Sequence, residues 1–251
     1  MRIISLTICH YGFDFLPYAL RSVHDFVDAQ YVLYTPQGSH GHRTDAVCPD
    51  TKDMLIEAAI AGAGDKLRWH EGVYANEGQH REMIHRLVPD ADCIVVVDAD
   101  EVYSESLIND IDRHFDDLRH YPKRMRLPMW HYWRSFNRGF MHDPALPERL
   151  IFPRVMTGRE SATWDGNGQT GVIHHFGYAQ RSEIVEYKQL THGHKGEWRK
   201  DVDWFKDVFM ANRQTDTHPV GSEYWNCEDM DLSQLPSVLK DHPFKDLDVI
   251  P

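Results

Sequence analysis

Two apolar patterns recur along this chain. One is a short β-branched run closed by turn residues, and the other is a longer stretch whose apolar side chains return every three or four positions. The first suits a strand covered on both faces and the second an amphipathic helix. Ile3 to Ile8 reads as a first strand, His10-Tyr11-Gly12-Phe13-Asp14 as a turn, and Phe15 to Val27 as a helix with Leu16, Leu20, Val23 and Val27 on one side. Gln30 to Tyr34 reads as a second strand, ended by Thr35-Pro36-Gln37-Gly38-Ser39. Strand, helix and strand in such close succession predict a parallel βαβ unit.

The same reasoning predicts helices over Thr51 to Ala63 and Asn76 to Leu87, the latter stopped by Pro89, with a short strand at Leu67 to His70 between them. Ile94-Val95-Val96-Val97 then forms a run without alternation and meets Asp98, Asp100 and Glu101. That is a doubly covered strand emerging into acid. Ser104 is a predicted cap for a helix from Glu105 to Leu118, whose acidic start suits a helix N-terminus. Further on, Arg149 to Arg154 and Gly171 to Tyr178 are strand-like, Asp165-Gly166-Asn167-Gly168 is a polar turn, and Ser182 to Met210 reads as one helix. Residues 211–251, punctuated by Pro219, Pro236, Pro243 and Pro251, predict a wrapping tail or lid. The whole predicts one α/β domain with a mostly parallel central sheet.

Composition narrows the picture. At 251 residues the chain can bury a full core. No apolar run has the length of a membrane span, and Met1 to Ile8 is too short for a signal peptide, so a soluble, cytoplasmic protein is expected. Cys9, Cys48, Cys93 and Cys227 show no CxxC spacing, which argues against a structural zinc site or a disulfide framework. A net charge of -12 disfavours a wholly electrostatic nucleic-acid binder. One stretch runs against that total: Leu118 to His142 holds Arg119, Lys123, Arg124, Arg126, Arg134 and Arg138 without an Asp or Glu, interleaved with six aromatic residues. It reads as core rings with solvated Arg side chains, as a binding surface for a sugar or diphosphate, or as a surface for single-stranded or flipped nucleic acid.

Asp98 and Asp100 carry the clearest chemistry. Carboxylates at the end of a buried strand are hard oxygen ligands suited to Mg²⁺ or Mn²⁺. Ligands of open α/β sheets bind beyond the carboxyl ends of the strands. His174 and His175 follow an apolar strand, and adjacent residues of a strand face opposite ways, so one of the two can join a given site. No HExxH, GxSxG, GxxxxGK[ST] or GxGxxG motif occurs.

With these residues in order, the chain resembles an A-type-fold glycosyltransferase, closest in style to the family-2-like nucleotide-diphospho-sugar transferases. The resemblance rests on Ile3 to Ile8 with the helix after it, on Glu77-Gly78-Gln79-His80-Arg81 leading into Asp92 to Glu101 with its DxD, and on His175-Phe176-Gly177-Tyr178 followed by Lys188 and His194. It covers roughly residues 1–210. It implies a Rossmann-like domain with a nucleotide-binding half of about 1–103 and an acceptor half of about 104–210. The second strand departs from the family, ending in Thr35-Pro36-Gln37-Gly38-Ser39 where an Asp-Asp-Gly-Ser-like sequence is usual.

The resemblance further implies a metal-dependent transfer of sugar from a nucleotide-diphosphate donor to an acceptor hydroxyl. Asp98 and Asp100 would contact the ribose and the metal-bound diphosphate, and His175, with His174 as second choice, would be a third contact to Mn²⁺ or Mg²⁺. Thr7, Tyr11, Tyr34 and Arg81 are candidates for the nucleotide pocket. An inverting enzyme also needs a carboxylate base near the acceptor. Asp165 is the first candidate because it lies in a Gly-rich turn beside Trp164, with Glu148 and Asp143 as rivals. The expected acceptor is a saccharide or glycolipid, with a hydroxymethylpyrimidine of modified DNA as the alternative. Two other classes stay open: a nucleotidyltransferase or phosphohydrolase with a carboxylate-bound metal, and a non-catalytic sugar- or nucleic-acid-binding module of the same fold.

Overall fold

The structure, a computed structural model, describes residues 1–38, 44–118, 122–141, 146–154, 159–164, 171–191, 195–220 and 225–251. The first hundred residues alternate strand and helix: β1 Ile3–Cys9, α1 Leu16–Ser22, β2 Ala29–Tyr34, α2 Lys52–Ala63, β3 Leu67–Glu71, α3 Glu77–Leu87 and β4 Cys93–Val96. Every residue of β1, β2 and β4 is buried, Ser5, Thr7 and Gln30 included, as in strands covered on both faces. Side chains of β1 alternate between two cores, with Ile4, Leu6 and Ile8 packed toward Ile84 and Val88, and Ile3 toward Val23 and Val95. Thr51 Oγ1 accepts from Met54 N at 3.3 Å to cap α2, and Asn76 Oδ1 accepts from Gln79 N at 2.9 Å to cap α3.

Then come β5 Glu101–Tyr103, α4 Glu105–Arg113, α5 Phe115–Leu118, β6 Pro122–Arg126, β7 Met129–Trp133, β8 Arg138–Phe140, β9 Glu148–Ile151, β10 Arg159–Thr163 and β11 Ile173–Tyr178. They are followed by α6 Ser182–Thr191, a π-wound helix Trp204–Met210 and β12 Glu228–Asp229. Seven strands form the central sheet in the order β10-β6-β9-β4-β1-β2-β3. Its β3, β2, β1 and β4 are mutually parallel, while β9 runs antiparallel to both β4 and β6. The expected mixed α/β architecture with a mostly parallel central sheet is therefore present. A second sheet, β12-β8-β7-β11-β5, was not expected from the sequence.

Two sequence expectations are corrected. The basic aromatic stretch, for which no element was expected, is built of strands: Arg124 and Arg126 point outward while Met125 and Leu127 point into the core, the period-two pattern of a half-covered strand. The helix expected to run from Ser182 to Met210 is instead α6, ending at Thr191, and a separate π-wound helix over Trp204–Met210, with Gly196 between them costly to an unbroken helix. The helix expected over Phe15 to Val27 stops at Ser22, whose hydroxyl donates to Ala19 O at 2.7 Å. Described residues of the last forty, among them Met230, Leu239 and Ile250, pack with Val102, Tyr132 and Phe176 of the second sheet. Ile250 N donates to Arg134 O at 2.7 Å, Ser182 N to Pro251 O at 2.9 Å, and the His242 ring stacks on Phe15 at 4.5 Å. Among the described residues no helix is long and apolar enough to cross a membrane.

Candidate functional site

From β1 the chain moves outward to β2 and β3, then returns to the other side of β1 as β4. Between β1 and β4 the order reverses, and the carboxyl ends of two such strands diverge to leave a crevice. A cavity of about 320 Å³ opens there, floored by His10, Tyr11 and Gly12 leaving β1 and by Asp98 to Glu101 leaving β4. The two exits touch. Gly12 sits at φ +118°, and a Cβ on it would come within 2.7 Å of Ala99 Cβ, so both the dihedral and the contact call for glycine. Buried Asp50 accepts from the amides of Gly12 and Phe13 at 2.7 and 2.9 Å, and Arg181 binds Asp50 and Asp14 at 2.6 and 2.7 Å. The β1 exit is thereby fixed.

The two aspartates are held differently. Arg81 Nη2 donates to both oxygens of Asp98 at 3.1 and 3.2 Å, and Arg149 Nη2 donates to Oδ2 at 3.0 Å. Burial opposes ionisation of Asp98, but the two guanidinium charges outweigh it and lower the carboxyl below its usual range. Asp100 Oδ2 accepts from Gln180 Nε2 at 3.0 Å and from Lys188 Nζ at 3.5 Å, and Oδ1 lies 3.7 Å from His175 Nε2. Burial again opposes the charge, and Lys188 with His175 holds the carboxyl well below the ordinary value. Glu101 is almost wholly buried. Desolvation, reinforced by the Asp98 charge, raises its carboxyl to about 7 in spite of Arg149, which donates through Nε to Oε2 at 2.8 Å.

Of the adjacent histidines, His175 faces the cavity and His174 faces the core. His174 Nδ1 bonds the Tyr132 hydroxyl at 2.7 Å, and burial lowers its pKa to about 3. His175 Nδ1 lies 2.7 Å from Nδ1 of His131 on the neighbouring strand β7. Lys188 Nζ reaches in from α6, with long contacts to Asp100 and to Gly177 O at 3.3 Å. A Cβ on Gly177 would come within 2.6 Å of the His175 ring and 3.1 Å of Lys188 Nζ, so the bare backbone makes room for both.

Among the described residues of the cavity, Asp100 and His175 are the pair that could face one divalent ion. Asp100 Oδ1 and His175 Nε2 are closer together than two bonds of about 2.1 Å laid end to end, so both can reach one ion and leave its remaining positions to water and ligand oxygens. Asp98, also expected as a ligand, has both oxygens in hydrogen bonds to guanidinium groups. Among the described residues no cluster of three or more His, Cys, Asp or Glu is arranged to hold a metal.

No family model and no curated protein matches the chain. Partial likenesses occur among solved structures. TarS of S. aureus superposes with a TM-score of 0.37 and 13% identity, over 59% of this chain and 23% of that one. The 4-diphosphocytidyl-2C-methyl-D-erythritol synthase of Anaerococcus prevotii superposes with a TM-score of 0.32 and 14% identity, over 61% of this chain and 63% of that one. A mycobacterial protein gives 0.32 and 14%, over 54% and 41%. The chain spans less than two thirds of each. The functional reading therefore rests on the cavity.

The structure sorts the residues picked from sequence. Asp98, Asp100, His175 and Tyr11 line the cavity, and Arg81 stands beside it on Asp98. Tyr11 is packed edge-on against Tyr187, and burial raises its phenol well above the ordinary value. Thr7 is fully buried within β1 opposite Val32, and Tyr34 stacks on Trp69 at 5.4 Å in the core, so neither reaches the cavity. Glu148 also points away, toward Arg124 and Arg126 at 3.2 and 4.0 Å. Asp165, Asp143 and His194 lie outside the described residues. Among the lining residues without an assigned role in the sequence, Arg149 and His131 carried no motif, and Lys188 was noted only as part of a resembling segment.

Among its described residues, the basic stretch does not assemble as a free cationic face. Lys123 pairs with Glu160 at 2.6 Å, Arg124 with Glu148, and Arg138 with Asp229 at 2.7 Å. Arg134 is buried and donates to the carbonyls of Phe209, Met210 and Ile250. Its partners include the C-terminal end of the π-wound helix, where a cation is favoured. Tyr132, Trp133, Phe136 and Phe140 are core residues.

Proposed function

We propose that this protein is a glycosyltransferase that moves a sugar from a nucleoside-diphosphate donor to an acceptor hydroxyl. The observation that carries the reading is the cavity at the β1–β4 switch point, where Asp98 and Asp100 leave a buried parallel strand beside Arg149 and Lys188. A site with fixed carboxylates and cations at this place in an α/β sheet suits a ligand that joins a sugar or ribose to phosphates. Asp98, locked by Arg81 and Arg149, is oriented to accept from a ribose or sugar hydroxyl. Lys188 offers an ammonium with only long contacts, available to a phosphate oxygen.

Asp100 and His175 are the residues that would hold Mn²⁺ or Mg²⁺, with water and diphosphate oxygens completing its shell. Such an ion supplies positive charge where the departing diphosphate gains negative charge. For the acceptor, a saccharide or glycolipid is favoured over modified DNA, because Lys123, Arg124 and Arg138 are paired and Tyr132, Trp133, Phe136 and Phe140 are buried. Asp165 stands as the candidate base; Glu148, turned away from the cavity, does not.

The test is a thermal-shift panel of UDP, GDP, ADP and CDP and their sugars, with and without Mn²⁺. A ligand bound only by the native state raises the melting temperature by mass action. One nucleoside diphosphate should do so, and its sugar should be turned over with release of the nucleoside diphosphate. No shift from any of them, or release of pyrophosphate instead, sinks the reading.

A further inference from the structure

We propose that Gln180 is a positioning residue that keeps Asp100 turned toward the ion while Lys188 is drawn to the donor's diphosphate. The inference rests on the reading of Asp100 and His175 as the side chains that hold the ion, and of Lys188 as a cation for phosphate. It starts from the way one carboxylate is divided. Asp100 Oδ2 accepts from Gln180 Nε2 at 3.0 Å and from Lys188 Nζ at 3.5 Å, while Oδ1 lies 3.7 Å from His175 Nε2. Both donors fall on one oxygen, which leaves Oδ1 on the side of His175.

The two donors differ in what can reach them. Lys188 lines the cavity, whereas Gln180 is almost wholly buried behind Asp100. An ammonium drawn toward a phosphate lengthens a contact that already stands at 3.5 Å. The terminal torsion of an aspartate is broad and two-fold, so a carboxylate without a fixed donor turns toward whichever cation is nearest. Gln180 opposes that rotation from a place no ligand enters. Its amide is also neutral, so it fixes the oxygen and leaves the carboxylate its full charge for the ion; a second cation there would compete with the ion.

The amide can face only one way. Its neighbours are Asp100 Oδ2 at 3.0 Å and Gly177 O at 3.5 Å, a carboxylate and a carbonyl that both accept, so the NH₂ end must point at them. Gln180 Oε1, at the other end, is buried and accepts from no described residue. A buried acceptor without a donor is costly, so what this side chain contributes comes through its NH₂. The bond is pinned at both ends. Ala179 N donates to Phe176 O at 3.0 Å before Gln180, and Arg181 after it binds Asp14 and Asp50 at 2.7 and 2.6 Å. On the other side, the backbone carbonyl of Asp100 accepts from Phe176 N at 2.8 Å. Groups that orient an ion ligand in this way alter ion affinity by roughly 10- to 100-fold.

Calorimetric titration of the intact chain tests this, with whichever of UDP, GDP, ADP and CDP gives the largest thermal shift. Its affinity is measured with Mn²⁺ and again in excess chelator, and the ratio is the coupling between ion and nucleotide. Gln180→Met, which keeps a long unbranched side chain but has no N–H, should leave nucleotide affinity in chelator within a few-fold of wild type and cut the ratio roughly 10-fold. Coupling is reciprocal, so electron paramagnetic resonance should show the same fall in the strengthening of Mn²⁺ binding by nucleotide. A side chain that only shapes the pocket would lower both affinities alike and leave the ratio as it was. A second measurement needs no variant: in ¹⁵N-resolved NMR the wild-type Gln180 side-chain amide should stay protected from hydrogen exchange when Mg²⁺ and the nucleotide are added. A wild-type ratio in Gln180→Met, or loss of that protection on ligand binding, overturns the role of Gln180 while leaving the ion site standing. A ratio of one in the wild type removes the ion site and this inference with it. Failure of all four nucleotides to bind removes the functional reading itself.

Discussion

Arg149 joins the two sheets through Glu101. It sits on β9 of the central sheet and donates through Nε to Glu101 Oε2 at 2.8 Å, at the first residue of β5 in the second sheet. Its Nη2 also reaches Asp98 at 3.0 Å, so one guanidinium fixes both the strand exit and the sheet junction. Removing one partner of a buried pair leaves an uncompensated charge, which costs about 3–5 kcal/mol. Arg149→Met should destabilise the fold by about that much in chemical denaturation. Arg149→Met combined with Glu101→Gln should recover part of the loss. Equal stability of the single and double variants would show that the Glu101 contact carries no weight.

The two aspartates should separate by function. Asp100 is the carboxylate with an oxygen facing His175, whereas Asp98 is enclosed by Arg81 and Arg149. Asp100→Asn should therefore lower Mn²⁺ affinity by an order of magnitude or more in a calorimetric titration. Asp98→Asn should leave Mn²⁺ affinity within a few-fold and weaken the nucleotide instead. Equal loss of Mn²⁺ binding in the two variants would restore Asp98 as a ligand and count against the arrangement described.

The elements that a local pattern specifies were legible in the sequence. The unbroken run of β4 predicted a strand covered on both faces, the apolar character of Ile3 to Ile8 predicted β1, and Thr51, Asn76 and Ser104 mark helix starts that the structure caps. Asp98 and Asp100 were legible because acid after a buried strand is a local signal. The second sheet was not, since the alternation in Arg124-Met125-Arg126-Leu127 was masked by the density of Arg and aromatic residues around it. Arg149 and His131 enter the cavity only because β9 pairs beside β4 and β7 pairs beside β11. Such pairings join residues far apart in the chain, and no spacing in one sequence records them. Thr7 and Tyr34 lie away from the cavity for a related reason: in a strand covered on both faces, polarity does not say which side chains reach its open end.

Acid should destabilise the protein through two buried histidines. Burial lowers His174 to about 3 and His242 to about 4, both below the ordinary 6.5. Below pH 6.5 the unfolded chain takes up protons that the folded chain refuses, so this part of the stability is present at neutral pH and lost as the pH falls toward 4. Glu101, raised to about 7, acts in the opposite sense. It takes its proton in the folded state first and contributes more as the pH falls from 7 toward 4.5. Each proton is worth roughly 1.4 kcal/mol per pH unit. His242→Phe, which can keep the stack on Phe15, should reduce the fall in stability between pH 6.5 and 4.5 by about one proton's share, and Glu101→Gln should steepen it. Denaturation midpoints at pH 6.5, 5.5 and 4.5 read both slopes, and an unchanged slope in His242→Phe would exclude that ring as a contributor.

Gly177 offers a way to move the cavity-facing imidazole without touching its chemistry. The position does not need glycine for its backbone, since its φ is not in the left-handed region. It needs glycine for space, because a Cβ would lie 2.6 Å from both Cε1 and Nε2 of His175 and 3.1 Å from Lys188 Nζ. In Gly177→Ala the ring must swing aside, carrying Nε2 away from Asp100 Oδ1 and Nδ1 away from His131. The strand itself can accommodate alanine, so the variant should fold and melt within a few degrees of wild type. Its Mn²⁺ and nucleotide affinities should fall together, by roughly 10-fold or more given how steeply such sites depend on the groups that orient a ligand. Nucleotide affinity measured in excess chelator separates the two displaced groups: it should fall only to the extent that Lys188 moves. Wild-type Mn²⁺ affinity in Gly177→Ala would mean that the ion does not depend on the position of His175 at all.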